Sequence, residues 1–139
     1  MRKVWFRLLC ATWLLAAGTP VRAEVRVVDD SGATISLAQP AKRIISLAPH
    51  LTETLFAAGA GERIVGTVEY SEYPPAASRI ARVGGYSRVD LERVAALRPE
   101  LIIAWQSGNA AAHLDRLRAL RIPIYLSQLN RIEDVASEI

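Results

Sequence analysis

Beyond residue 23, hydrophobic positions fall into short runs whose spacing alternates between strand-like and helix-like. Val25 to Asp29 and Ala33 to Leu37 are β-prone runs on either side of Asp30-Ser31-Gly32, a combination that predicts a hairpin. After Pro40 the pattern changes. Arg43-Ile44-Ile45-Ser46-Leu47 predicts a buried strand, and Leu51 to Ala58 a short helix stopped by Gly59 and Gly61. Ile64 to Val68 predicts a second strand of this set. From Glu69 to Tyr86, Pro74-Pro75 and Gly84-Gly85 predict mostly loop, with one helical turn after the prolines.

Asp90 is a natural N-cap for a helix whose apolar positions Leu91, Val94 and Ala95 share a face, and Pro99 closes it. Glu92 falls about 130° from that stripe at 100° per residue, which points it to solvent. Leu101 to Ala104 predicts the third strand. Asn109 is expected to cap the next helix, with Ala110, Leu114, Leu117 and Leu120 as its buried stripe. Ile122 to Leu126 predicts a fourth strand, and Ile132 to Ala136 opens another helix. Strands and helices that alternate with short connections imply an α/β fold, a parallel sheet flanked by helices and preceded by the hairpin. The helical pattern still running at Ile139 suggests the front part of a longer protein.

The first 23 residues carry a different signal. Arg2, Lys3 and Arg7 form a basic start, Leu8 to Ala17 an apolar stretch, and Val21-Arg22-Ala23 a small-residue cleavage pattern, as in an export signal peptide. The apolar stretch is short for a membrane span. Cys10 lies inside it after the bulky Leu9, which argues against a lipoprotein. The expected mature chain, from Glu24, has no cysteine, so disulfide staples and thiolate metal sites are excluded from it. Loss of Arg2, Lys3, Arg7 and Arg22 takes the formal charge from +3 to −1. With no basic surplus left to neutralise phosphates, nucleic-acid binding loses its physical support.

Candidate chemistry is aromatic. Tyr70, Tyr86 and Trp105 fall just past strands or in loops, where ligands settle in such sheets, and they are expected to form a binding wall. Rings suit a large, flat, partly apolar ligand because they offer area at little entropic cost. The competing expectation is that these rings, with Tyr73, simply pack against the sheet. Pro49-His50 follows the first strand of the set just before a helix, so backbone N–H groups there could meet a ligand acceptor. His50 could also reach a metal centre carried by the ligand, although a capping or surface histidine is the commoner case. His113 is expected to pack at a boundary. Glu69 and Glu72 are expected in a solvated loop. The chain has no Gly-x-Ser-x-Gly elbow, phosphate loop, His-Glu-x-x-His pair or cysteine nucleophile.

Several stretches then resemble a known family. Arg43 to Gly59, Glu69-Tyr70-Ser71-Glu72-Tyr73-Pro74-Pro75, Asp90-Leu91-Glu92-Arg93-Val94, and Leu101 to Asn109 are similar to the periplasmic cobalamin (vitamin B12) binding proteins of ABC importers, within the Fe/B12 periplasmic-binding superfamily. Beyond the expected signal peptide at 1–23 and hairpin segment at 24–42, the resemblance implies, at 43–139, the N-terminal lobe of a two-lobed solute-binding protein whose lobes are joined by a long helix. It implies a corrinoid held between the lobes, with Tyr70, Trp105, Tyr86, Pro49 and His50 as ligand-binding residues. Tyr86 stands where a known member carries tryptophan, and His50 is a departure from the pattern. Glu92 matches a glutamate that docks onto permease arginines. The implied protein is a periplasmic monomer with cobalamin as transported ligand, ABC permease subunits as partners, no resident cofactor or metal, and no catalytic residues. A ferric-siderophore or haem binder of the same superfamily remains open, as does a secreted hydrolase with its catalytic residues beyond Ile139.

Overall fold

The computed structural model describes residues 24–85 and 88–128. The expected signal segment, Tyr86 and the helix expected from Ile132 lie outside these residues. Two antiparallel strands, β1 (Val25–Val28) and β2 (Thr34–Leu37), form the hairpin around Asp30-Ser31-Gly32. Next come β3 (Ile44–Ser46), α1 (Pro49–Ala57), β4 (Ile64–Thr67), the short pair β5 (Gly84–Gly85) and β6 (Arg88–Val89), α2 (Leu91–Ala96), β7 (Leu101–Trp105), α3 (Ala111–Arg118) and β8 (Ile124–Ser127). Single 3-10 turns lie at Gly61–Arg63 and Pro75–Arg79, the second following the prolines as expected.

β3, β4, β7 and β8 form a parallel sheet in the order β4-β3-β7-β8. Side chains alternate between its faces. Ile45, Leu47, Ile102, Ala104 and Leu126 pack with Val94 of α2 and with Leu114 and Leu117 of α3 in one hydrophobic core. Ser46 and Thr67 turn to the other face, where Thr52 of α1 meets them. Each buried Leu, Ile or Val contributes about 1.5–3 kcal/mol, so this core is the main source of stability in a stretch without cysteine.

α1 starts two residues earlier than expected, because Pro49 occupies its first turn with a preset φ and needs no N–H partner there; His50 is therefore helical. Gly59, at φ 75, ends the helix as expected. Asp90 caps α2 by accepting from the N–H groups of Glu92 and Arg93. Two expected stripes are narrower than the periodicity implied: Ala95 and Ala110 are exposed, since α2 has only six residues and Ala110 precedes α3.

The hairpin covers the open edge of β8, a position where unpaired strand groups invite association. Asp30 N–H donates to the Leu126 carbonyl at 3.0 Å, and Asp29 Oδ2 accepts from Leu126 N–H at 3.2 Å. Asp29 Oδ1 accepts from the Ser31 hydroxyl and from the N–H groups of Ser31 and Ala33. Burial pushes this carboxyl up, but the hydrogen bonds together outweigh it and hold Asp29 below its ordinary value.

Candidate functional site

All strands of the main sheet are parallel, so their carboxyl ends share one rim. Tyr70 follows β4, Pro49 and His50 follow β3, and Trp105 ends β7, three neighbouring positions in the sheet. The chain steps from β3 to β4 on one side and then crosses to β7 on the other. That reversal makes the gap between β3 and β7 a topological switch point, where α/β sheets leave a crevice for ligands. His50 and Trp105 meet there, with ring centroids 5.1 Å apart and planes at 86°.

Trp105 is the last residue of its strand and is half-buried. Its loop is closed on itself. Asn109 N–H donates to the Trp105 carbonyl at 2.9 Å, while Asn109 Oδ1 accepts from Trp105 N–H at 2.7 Å. Asn109 Nδ2 donates across to the Leu47 carbonyl at 3.0 Å, tying the ends of β3 and β7 together. Asn109 is thus a buried strut and not the cap of α3; Ala110 occupies the N-cap and makes no side-chain cap. Gly108 lies directly against the indole, where any Cβ would overlap Cε3 of Trp105. The glycine is required by close approach.

Tyr70 is 76% exposed at φ 66, a left-handed conformation that costs an ordinary residue about 1–2 kcal/mol. Tyr73 is also exposed. The turn that leads toward position 86 starts beside them: Glu69 N–H donates to the Gly84 carbonyl, and Gly85 lies against the Glu69 carboxylate. The rim therefore brings together Tyr70, Pro49, His50 and Trp105, while Tyr86 lies outside the described residues.

Glu92 is exposed in the first turn of α2 and lines a polar cavity of about 840 Å³ together with Glu69, Arg88, Arg93, His113 and Arg116. Glu69, next to Tyr70, links this cavity to the rim. None of Tyr70, Pro49, His50 and Trp105 lines it. The rim is an open aromatic shelf, distinct from the charged hollow beside it. His113 sits half-buried at the cavity with Nδ1 buried, a boundary position as expected.

Among the described residues no group of three or more His, Cys, Asp or Glu is arranged to hold a metal ion, and no helix is long and apolar enough to cross a membrane. The shelf carries the exposed Tyr70 ring and the half-buried His50–Trp105 pair, with His50 Nε2 itself buried. These groups can bind and orient a flat ligand. Sequence reasoning missed Asn109 as a strut and missed the buried hydroxyls of Ser46, Thr52, Thr67 and Ser71 beneath the shelf. The one available signal was small polar residues at strand ends and in the helix and turn that follow.

Residues 44–139 match the family described as periplasmic binding protein. The chain is 44% identical over 101 residues to a vitamin B12-binding protein of Vibrio parahaemolyticus and 46% identical over 100 residues to one of Vibrio cholerae. These alignments cover 73% and 72% of this chain, and it spans only 37% and 36% of those relatives' length. The crystal structure of the periplasmic vitamin B12-binding protein BtuF of Vibrio cholerae aligns with TM-score 0.68 and 45% identity, over 71% of this chain and 39% of that one. The apo periplasmic heme-binding protein RhuT of Roseiflexus aligns with TM-score 0.58 and 31% identity, over 63% of this chain and 34% of that one.

Proposed function

Because the chain belongs to the periplasmic binding protein family, we propose that it forms the front lobe of a periplasmic solute-binding protein that captures a cobalamin-like corrinoid and delivers it to an ABC permease. The observation that carries the reading is the aromatic shelf at the switch point, with Tyr70 and the His50–Trp105 pair on adjacent strand ends. A corrin ring is broad and flat, with an apolar body and amide-bearing edges. Ring faces cover such a body, and the Tyr70 hydroxyl and the backbone around Pro49 meet the polar edges. Tyr86 supplies a further aromatic contact. The likeness to vitamin B12-binding proteins supports this ligand over others of the family.

No chemistry is performed on the ligand in this reading, and cobalamin is cargo. Glu92, exposed at the start of α2, forms a charge-assisted pair with a permease arginine. Residues 1–23 direct export and are removed.

Trp105 is the only tryptophan in residues 24–139 and stands on the shelf, so its emission should respond to ligand there. Titration of the full-length protein with cyanocobalamin should quench its emission at micromolar ligand. Haemin or a ferric siderophore quenching in its place, with cyanocobalamin inert, would reassign the ligand within the same architecture; the likeness to the Roseiflexus heme binder makes that the arm to run beside it.

A further inference from the structure

Four hydroxyls lie together beneath the shelf. Ser46, Thr52 and Thr67 are fully buried and Ser71 is 1% exposed. They come from separate segments that each lead to the rim: Ser46 ends β3, Thr52 lies in α1 two residues past His50, Thr67 ends β4, and Ser71 directly follows Tyr70. The Oγ1 atoms of Thr52 and Thr67 are 2.7 Å apart, and the Thr67 hydroxyl donates to Ser71 Oγ at 2.8 Å. Thr52 Oγ1 also lies 3.0 Å from Ser46 Oγ, and the Ser46 hydroxyl donates to the Ala48 carbonyl at 3.1 Å. Each hydroxyl has a single proton, so the four share their bonds as one chain.

Alanine and valine would fill this space without removing four hydroxyls from water. What the hydroxyls add is direction. Tyr70 needs it, because its ring is exposed and cannot be held by packing, while its backbone sits in a conformation that costs energy. Ser71 is gripped at both ends: its hydroxyl by Thr67, and its carbonyl by Arg82 Nη2 at 2.9 Å. Fixing Ser71 fixes the turn on which Tyr70 stands. Thr52 ties the same network to α1, the helix that carries His50.

We propose that Thr67 and Thr52, acting through Ser71, are positioning residues that hold Tyr70 in its left-handed conformation and set its place relative to His50 and Trp105, thereby setting ligand affinity. The ligand in this proposal rests on the corrinoid reading; the geometry does not.

The test is a double-mutant cycle on the full-length protein, read by cyanocobalamin titration. Thr67→Val should raise Kd about tenfold, within the range for members of one hydrogen-bonded network, and Thr67→Ser should restore it. Added to Tyr70→Ala, Thr67→Val should cause no further loss. A lower melting temperature with unchanged Kd, or losses that multiply in the Tyr70→Ala background, would overturn the proposal. Ser71→Ala, which lies outside the sheet, takes the same place in the cycle if Thr67→Val does not fold. A crystal structure of whichever variant folds reads the geometry without ligand: Tyr70 leaving its positive φ supports the proposal, and an unchanged Tyr70 refutes it. Failure of the parent protein to bind cyanocobalamin would sink the corrinoid reading and leave this structural arm to decide.

Discussion

His50 and Trp105 meet edge to face at the gap between β3 and β7, their planes at 86° and their centroids 5.1 Å apart. Such a pair adds about 0.5–1.5 kcal/mol beyond burial, and it fixes an indole that the core does not enclose. The ring is steadied from the side and from below, with part of it left for a ligand.

Trp105→Ala should therefore weaken ligand binding at least about tenfold, as for a central aromatic anchor, while the protein stays folded. Its melting temperature should fall less than for a core Trp→Ala change, which costs about 3–5 kcal/mol. Circular dichroism and a thermal melt beside the ligand titration check both halves. Gross unfolding would reassign Trp105 to the core.

Gly108→Ala tests the close approach beneath the indole. The added methyl overlaps the ring, so indole or loop must move, at about 1–3 kcal/mol for overpacking. Trp105 emission should change even without ligand. An unaltered spectrum and melting point would mean the loop absorbs the methyl freely.

Asn109→Ala removes both halves of the strut between β3 and β7. Leaving the Trp105 N–H and Leu47 carbonyl short of a partner should cost about 1–3 kcal/mol in urea denaturation. Asn109→Asp keeps the acceptor for Trp105 N–H but sets an oxygen against the Leu47 carbonyl, so at neutral pH it should not rescue. Rescue by aspartate would show that the Leu47 bond contributes nothing.

Asp29 gives the hairpin a defined response to acid. Its folded pKa lies below the ordinary aspartate value, so its contribution is complete above that value, about 3.9, and is lost as pH falls through the lower folded one. Denaturation midpoints should fall in acid more steeply for the parent protein than for Asp29→Asn, which starts less stable at neutral pH. Parallel profiles would remove Asp29 as the clasp on β8.

Glu92→Ala should leave cyanocobalamin affinity unchanged and impair ligand uptake in cells. Equal loss of both would place Glu92 with the ligand and not with the permease.

The elements that sequence reading located well were those with strong local causes. The glycine turn at Gly32, the Asp90 cap, the helix stop at Gly59 and the apolar strand runs each act within a few residues, and each of these forms as expected. Errors arose where a residue had two possible partners. Asn109 stands before a helix like a cap, yet its amide reaches Leu47 and the Trp105 backbone, because β3 and β7 are adjacent and leave those groups to be satisfied. Ala95 and Ala110 follow a helical period, yet remain exposed because burial depends on what lies opposite.

By itself, then, the sequence determined the α/β alternation, the hairpin and the aromatic character of the rim, since turn chemistry, capping and side-chain type are local properties. Only the tertiary structure decided that β3 lies between β4 and β7. Strand order is set by non-local pairing and by which faces α1, α2 and α3 cover, and one chain's periodicity does not encode it. That order brings His50 to Trp105, turns Asn109 into a strut, and gathers four hydroxyls under Tyr70.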